Sequence, residues 1–191
     1  MKILLISGSI AKKSHTRTFL QYIEQLLKKE GVDTMLWDLA IRPLSIAIPE
    51  FHKDPSKNPD KNVQQFVQEV IESDGFVLGS PLYQGSFSGV LKNALDQLHY
   101  NAFLNKPVAL VSNSSSVRNA AHPCEHLRLV VRALYGYVLQ SQIGTADTDF
   151  TETVDGYVLA SENIKERAVR LVNELVKFTI VLKSNAINQE D

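Results

Sequence analysis

The sequence predicts an α/β protein, a three-layer sandwich with a mostly parallel five-stranded sheet and helices on both faces. Two observations carry this. Short apolar runs such as KILLIS, GFVLG and PVALVS, each bounded by turn residues, read as buried strands. They alternate along the chain with segments whose apolar residues recur at helical spacing, and a strand–helix alternation of this kind specifies a parallel sheet covered on both sides.

The elements follow in order. Lys2–Ser7 is a strand ending at a Gly-Ser turn. Thr16–Glu30 is a helix with Phe19, Leu20, Ile23, Leu26 and Leu27 on one face, stopped by Gly31. Asp33–Asp38 is a second strand. Leu39–Asp60 is a long connection containing prolines, unusual inside a domain and so a candidate functional flap. Asn62–Ser73 is helical, with Val63, Phe66, Val67, Val70 and Ile71 on one face. Gly75–Gly79 is a strand, Ser88–His99 a helix and Pro107–Ser112 a strand. His122–Tyr135 is a helix packing through Leu127, Val130, Val131 and Leu134, and Tyr137–Gly144 is the fifth strand. Asp155-Gly156 suits the turn of a small hairpin. Ser161–Lys183 closes the domain as a helix. Residues 1–184 read as a single domain and 185–191 as a polar tail. The flavodoxin-like strand order 2-1-3-4-5 is one of two common arrangements for such a chain. It puts a ligand beyond the carboxyl ends of the strands, near the switch point.

Composition narrows the function. The chain of 191 residues is 44% hydrophobic and 21% charged, ordinary values for a globular protein. Its 20 basic and 21 acidic residues give a net charge of -1, without the basic excess of a nucleic-acid reader. Cys124 is the single cysteine, which excludes an internal disulfide and suits a reducing cytoplasm. No run is long and apolar enough for a membrane span, and MKILLISGSI is too short an apolar stretch for a signal peptide. The expectation is a cytoplasmic enzyme with small-molecule partners, no nucleic acid and no membrane.

In the predicted topology the loops after strands one, three and four converge. All three are rich in Ser, Gly and Asn. The first, GSIAKKSHTR, lies between a strand and a helix N-terminus, a natural anion site. Ser9, Ser14 and Thr16 add hydroxyls; Lys12, Lys13 and Arg17 add charge. Neither a Walker A loop nor GxGxxG is present. Ser14 or His15 also suits an ordinary helix cap, and the loop alone leaves both open. In the second, SPLYQGSFSG, Pro81 stiffens the chain, Tyr83 offers a flat face, and Gly85 lets backbone approach a flat ligand. Ser86 and Ser88 can donate, and an ordinary turn with a helix cap would use the same residues. The third, NSSSVRN, could meet the polar edge of a ring system or be a solvated surface loop.

Other groups carry less. HPCEH superficially resembles a metal cluster, but no fourth ligand is evident. Nothing pairs a nucleophile with a base and an orienting group, so no catalytic side chain is assigned. Such a protein fits a role in which a cofactor carries the chemistry and the fold positions it.

GSIAKKSHTR resembles the phosphate loop of the NADPH-dependent FMN reductases. SPLYQGSFSGVLKNALD resembles that family's second signature, a Pro-x-Tyr loop leading into a Gly-x-Leu-Lys-Asn-x-x-Asp helix, here Gly89, Leu91, Lys92, Asn93 and Asp96. The likeness continues through PVALVSNSSS and LRLVVRALYGYVLQSQI and is strongest to the azobenzene reductase (azoreductase) branch. It implies FMN as cofactor and NADPH or NADH as hydride donor. Ser9, Ser14, Thr16 and Arg17 would hold the FMN phosphate. Pro81, Leu82, Tyr83, Gln84, Gly85 and Ser86 would line the isoalloxazine, and Asn113, Ser114, Ser115 and Ser116 would meet its pyrimidine edge. Many relatives have a glycine-rich third loop where this chain has three serines. The family implies a homodimer or homotetramer.

The leading expectation is an NAD(P)H oxidoreductase that reduces azo compounds or quinones by ping-pong hydride transfer, donor and acceptor using one open flavin face in turn. Two alternatives remain at this point. One is a reductase that supplies free reduced FMN to a monooxygenase, marked by loose flavin binding. The other is a flavodoxin-type electron carrier, marked by a stable semiquinone and no NAD(P)H oxidation.

Overall fold

The computed structural model describes residues 1–187. Its central sheet is formed by β1 (Lys2–Ser7), β2 (Asp33–Asp38), β3 (Gly75–Pro81), β4 (Pro107–Ser114) and β5 (Tyr137–Ala146), in the order β2-β1-β3-β4-β5. All neighbours in it are parallel. The predicted order is therefore the observed one. β3 and β4 are buried along their whole length, which is why their sequences are apolar at successive positions rather than alternating.

Side-chain alternation divides the core in two. Ile3, Leu5, Val77, Ala109 and Val111 face α1 (His15–Lys29) and α5 (Glu162–Ile187), packing on Phe19, Leu20, Ile23, Leu171 and Leu175. Leu4, Ile6, Phe76, Leu78, Val108 and Leu110 face α2 (Lys61–Glu72), α3 (Gly89–Asp96) and α4 (His122–Ala133). There they meet Phe66, Val70, Leu91, Leu95, Leu127 and Val131. A two-stranded antiparallel hairpin, β6 (Phe150–Thr153) and β7 (Gly156–Leu159), follows β5 and packs against α1.

The differences from expectation have local causes. β3, β4 and β5 each run two residues further than their apolar runs, to Pro81, Ser114 and Ala146. Polar residues there still pair: Ser80 with Ser112, and Asn113 with Thr145. Pro81 can end β3 because β1 stops pairing at Ser7–Gly79, so no partner is left on the side its missing N–H would face. α3 ends at Asp96 rather than His99, and α5 continues to Ile187 rather than stopping at Lys183. No Gly or Pro follows Lys183 before that point, so nothing in the chain breaks the helix. Of the expected tail, residues 188–191 lie outside the described residues.

Candidate active site

The carboxyl ends of β1, β3 and β4 open into one cleft. It is lined by Ser9, Ala11, Lys13, Ser14, His15 and Thr16 from the first loop, Pro81, Leu82 and Tyr83 from the second, Asn113, Ser114 and Ser115 from the third, and Asp147 after β5. This is the crevice expected of an open parallel sheet whose connections diverge on either side of its first strand.

The first loop owes its path to two local contacts. Ser14 caps α1, its hydroxyl accepting from the Arg17 N–H at 3.1 Å, which leaves the first turn of a 15-residue helix at the cleft. Gly8 packs so tightly under α3 that a Cβ there would lie 2.8 Å from Leu91 Cβ and 2.9 Å from Ser88 Oγ. Ser88, the cap of α3, donates to the Gly8 carbonyl at 2.6 Å and ties the first loop to the second. Ser9 and Thr16 are almost fully buried at the cleft floor.

Arg17 does not line the cleft. Its guanidinium pairs with Asp38 at the end of β2 and donates to the carbonyls of Ala11 at 3.2 Å and Lys12 at 3.0 Å. It shapes the loop by holding its backbone.

The second loop is a two-residue turn. Tyr83 and Ser86 exchange backbone hydrogen bonds at 2.9 and 3.0 Å, and both central residues, Gln84 and Gly85, have positive φ (48° and 81°). That is the conformation of a type I′ turn, which favours glycine at its second centre. The turn leaves Tyr83 48% exposed at the cleft mouth. Gln84, Gly85 and Ser86 lie outside the cleft lining, and the Ser86 hydroxyl instead meets Nδ1 of His126 on α4 at 2.8 Å.

The third loop is largely satisfied within the protein. Asn113 donates to Asp147 at 2.8 Å and accepts from the Thr145 hydroxyl at 2.9 Å. The Ser114 hydroxyl accepts from the Ser116 N–H at 3.0 Å and donates to the Ser116 carbonyl. Ser116, which caps a short 3₁₀ turn, is not in the lining.

Two lining residues carry chemistry that the sequence reading did not single out. His15 Nδ1 lies 3.1 Å from Asp147 Oδ1, and its ring stacks on Tyr157 of the hairpin at 3.7 Å between centroids. The available signal was Asp147 itself, an acid at the carboxyl end of the fifth strand, where the strand-end rule applies as it does to the other three. The flap, by contrast, contributes nothing to this lining: residues 45–47 bond to α3 instead, through Asn93 and Gln97. His122, Cys124 and His126 form no metal-binding group, and none is present among the described residues. Among those residues no helix is long and apolar enough to cross a membrane.

Comparison with known proteins agrees with this architecture. The chain is 40% identical over 179 residues to an FMN-dependent NADPH-azoreductase of Staphylococcus saprophyticus, covering 93% of this chain and 95% of that one. Among solved structures, it superposes on an NADH:FMN oxidoreductase in its apo form with a TM-score of 0.71, at 22% identity, over 94% of this chain and 89% of the other. It also superposes on a flavodoxin from the domain Archaea with a TM-score of 0.60, at 11% identity, over 94% and 99% of the two chains. These structural likenesses show the flavodoxin-like fold. The NADPH-dependent FMN reductase family model matches residues 1–150. With that match across most of the chain and the azoreductase identity across nearly all of it, the chain belongs to the NADPH-dependent FMN reductase family.

Proposed function

We propose that the protein is an FMN-dependent NAD(P)H oxidoreductase that reduces azo compounds, with quinones as a second acceptor class. The observation that carries this reading is the single cleft formed by three Ser/Asn-rich loops at the strand ends. Its chemistry fits FMN. One end has the Ser9, Ser14 and Thr16 hydroxyls at the positive end of α1, suited to a terminal phosphate. Pro81, Leu82 and Tyr83 offer an apolar wall for a flat ring system, and Ser115 with the backbone about Asn113 offers polar groups for its edge.

FMN held there would supply the redox chemistry, hydride transfer between nicotinamide and acceptor. The chain's residues orient and shield. Tyr83 borders the open side of the cleft, where nicotinamide and acceptor would enter in turn. Gln84, Gly85 and Ser86 act by holding the turn that presents Tyr83, and Arg17 acts by holding the phosphate loop. Ser116 acts by holding the third loop. The strong identity to an NADPH-azoreductase favours this reading over a flavin-supplying reductase or an electron carrier.

Family membership supports a homodimer or homotetramer working in the cytoplasm, and residues 1–184 as one functional domain. The test is a visible spectrum of the protein after gel filtration, followed by anaerobic addition of NADPH and then NADH. A retained flavin spectrum bleached by either nucleotide, and restored by an azo dye, is the expected result. A stable semiquinone with no NAD(P)H oxidation would overturn it, and light scattering reads the oligomer.

A further inference from the structure

Three basic residues of the first loop and the start of α1 each meet a carboxylate from a different element. Arg17 is paired with Asp38 of β2, Lys13 lies 3.1 Å from Glu152 of the hairpin, and His15 lies 3.1 Å from Asp147. Of these three acids, only Asp147 lines the cleft. Asp147 therefore sets a negative charge one imidazole away from the first residue of α1, where the helix dipole and three hydroxyls favour an anion. At physiological ionic strength the screening length is about 8 Å, too long to hide a charge at this range.

The pair is held rather than loosely placed. Asp147 Oδ1 accepts from Asn113 Nδ2 at 2.8 Å as well as facing His15. The His15 ring is clamped between Tyr157 and Phe150, with centroids at 3.7 and 4.9 Å, and its side chain is 17% exposed.

Resting on the FMN reading above, we infer that Asp147, held in place by Asn113 and His15, is an electrostatic brake on binding of the cofactor's phosphate. It thus tunes how firmly the enzyme holds its flavin and how strongly it separates FMN from riboflavin, which lacks the charge.

The experiment titrates FMN and riboflavin into flavin-stripped wild type and Asp147→Asn by fluorescence, at one pH and one ionic strength. Asp147→Asn should tighten FMN binding about three- to tenfold, with riboflavin unchanged. If Asp147→Asn leaves FMN binding unchanged, weakens it, or shifts riboflavin by the same factor, this inference is overturned while the cofactor reading stands. A wild type that binds neither flavin overturns both.

Discussion

Arg17 and Asp38 tie the first turn of α1 to the carboxyl end of β2 beside the cleft: Nε meets Oδ2, and Nη2 lies 3.4 Å from Oδ1. Both side chains are largely withdrawn from water, 16% and 6% exposed. The remaining guanidinium nitrogen holds two carbonyls of the first loop. Arg17→Ala leaves a buried carboxylate without its partner and should cost about 2–4 kcal/mol of stability, read as a fall in the denaturation midpoint of the flavin-free protein. Adding Asp38→Asn to it should restore about half of that loss. A variant of normal stability that has lost FMN affinity would instead assign Arg17 directly to the phosphate.

Tyr83 is positioned by backbone bonds, not by its hydroxyl. Tyr83→Phe should therefore keep flavin reduction by NAD(P)H within about tenfold, or about 1.4 kcal/mol in barrier. Gly85→Ala, which forces a side chain into φ 81°, should cost about 1 kcal/mol and disturb acceptor turnover more. Steady-state lines for NADPH against azo dye should be parallel, the pattern of two substrates using one site in turn; intersecting lines would refute that sharing.

Asn93 holds the flap at both faces of its amide, accepting from the Ala47 N–H at 2.9 Å and donating to the Ser45 carbonyl at 2.9 Å. Asn93→Ala should cost about 1–2 kcal/mol and speed tryptic cleavage at Lys53 and Lys57 several-fold. Flavin reduction by NADPH should be unaffected, because the flap does not line the cleft. Unchanged cleavage would show that Gln97, which also donates to Ser45 at 2.7 Å, suffices to pin it.

Cys124 is fully buried on α4, and burial pushes its thiol from an ordinary 9.0 up to about 11, against a smaller opposing effect from the Ser112 hydroxyl. Its folded value lies above its unfolded one, so the native state retains the proton longer. Stability from this group is intact below pH 9.0 and declines as pH rises from there toward about 11. At neutral pH an aromatic disulfide reagent should leave Cys124 untouched in native protein and label it at once in guanidinium. Rapid native labelling would show that α4 opens locally.

The strands, the helices and the three loops of the cleft were legible because they are properties of short segments: apolar periodicity, turn residues and a helix start; the strand order was one of two common arrangements and came from the general rules of parallel sheets. The ends of β3 and β4 were not, since Ser80 and Asn113 extend the sheet only because a neighbouring strand is there to pair them. The partner of Arg17 was hidden for a similar reason. A basic residue on a phosphate-like loop suggests a ligand, and nothing local reveals that Asp38, 21 positions later, engages it. The His15–Asp147 pair spans 132 positions and could emerge only from asking what stands at the end of every strand, the fifth included.

The hairpin gives the site a place in time. A chain leaves the ribosome amino terminus first, so the loops of β1 and β3 are made long before Tyr157, the residue that seats the His15 ring. A nascent chain already exposes the helix start and its hydroxyls, yet it lacks Asp147, Glu152 and the aromatic clamp. The three loops of the cleft are thus complete before the carboxylate that opposes the phosphate is made, and control over flavin retention is the last part of the site to arrive.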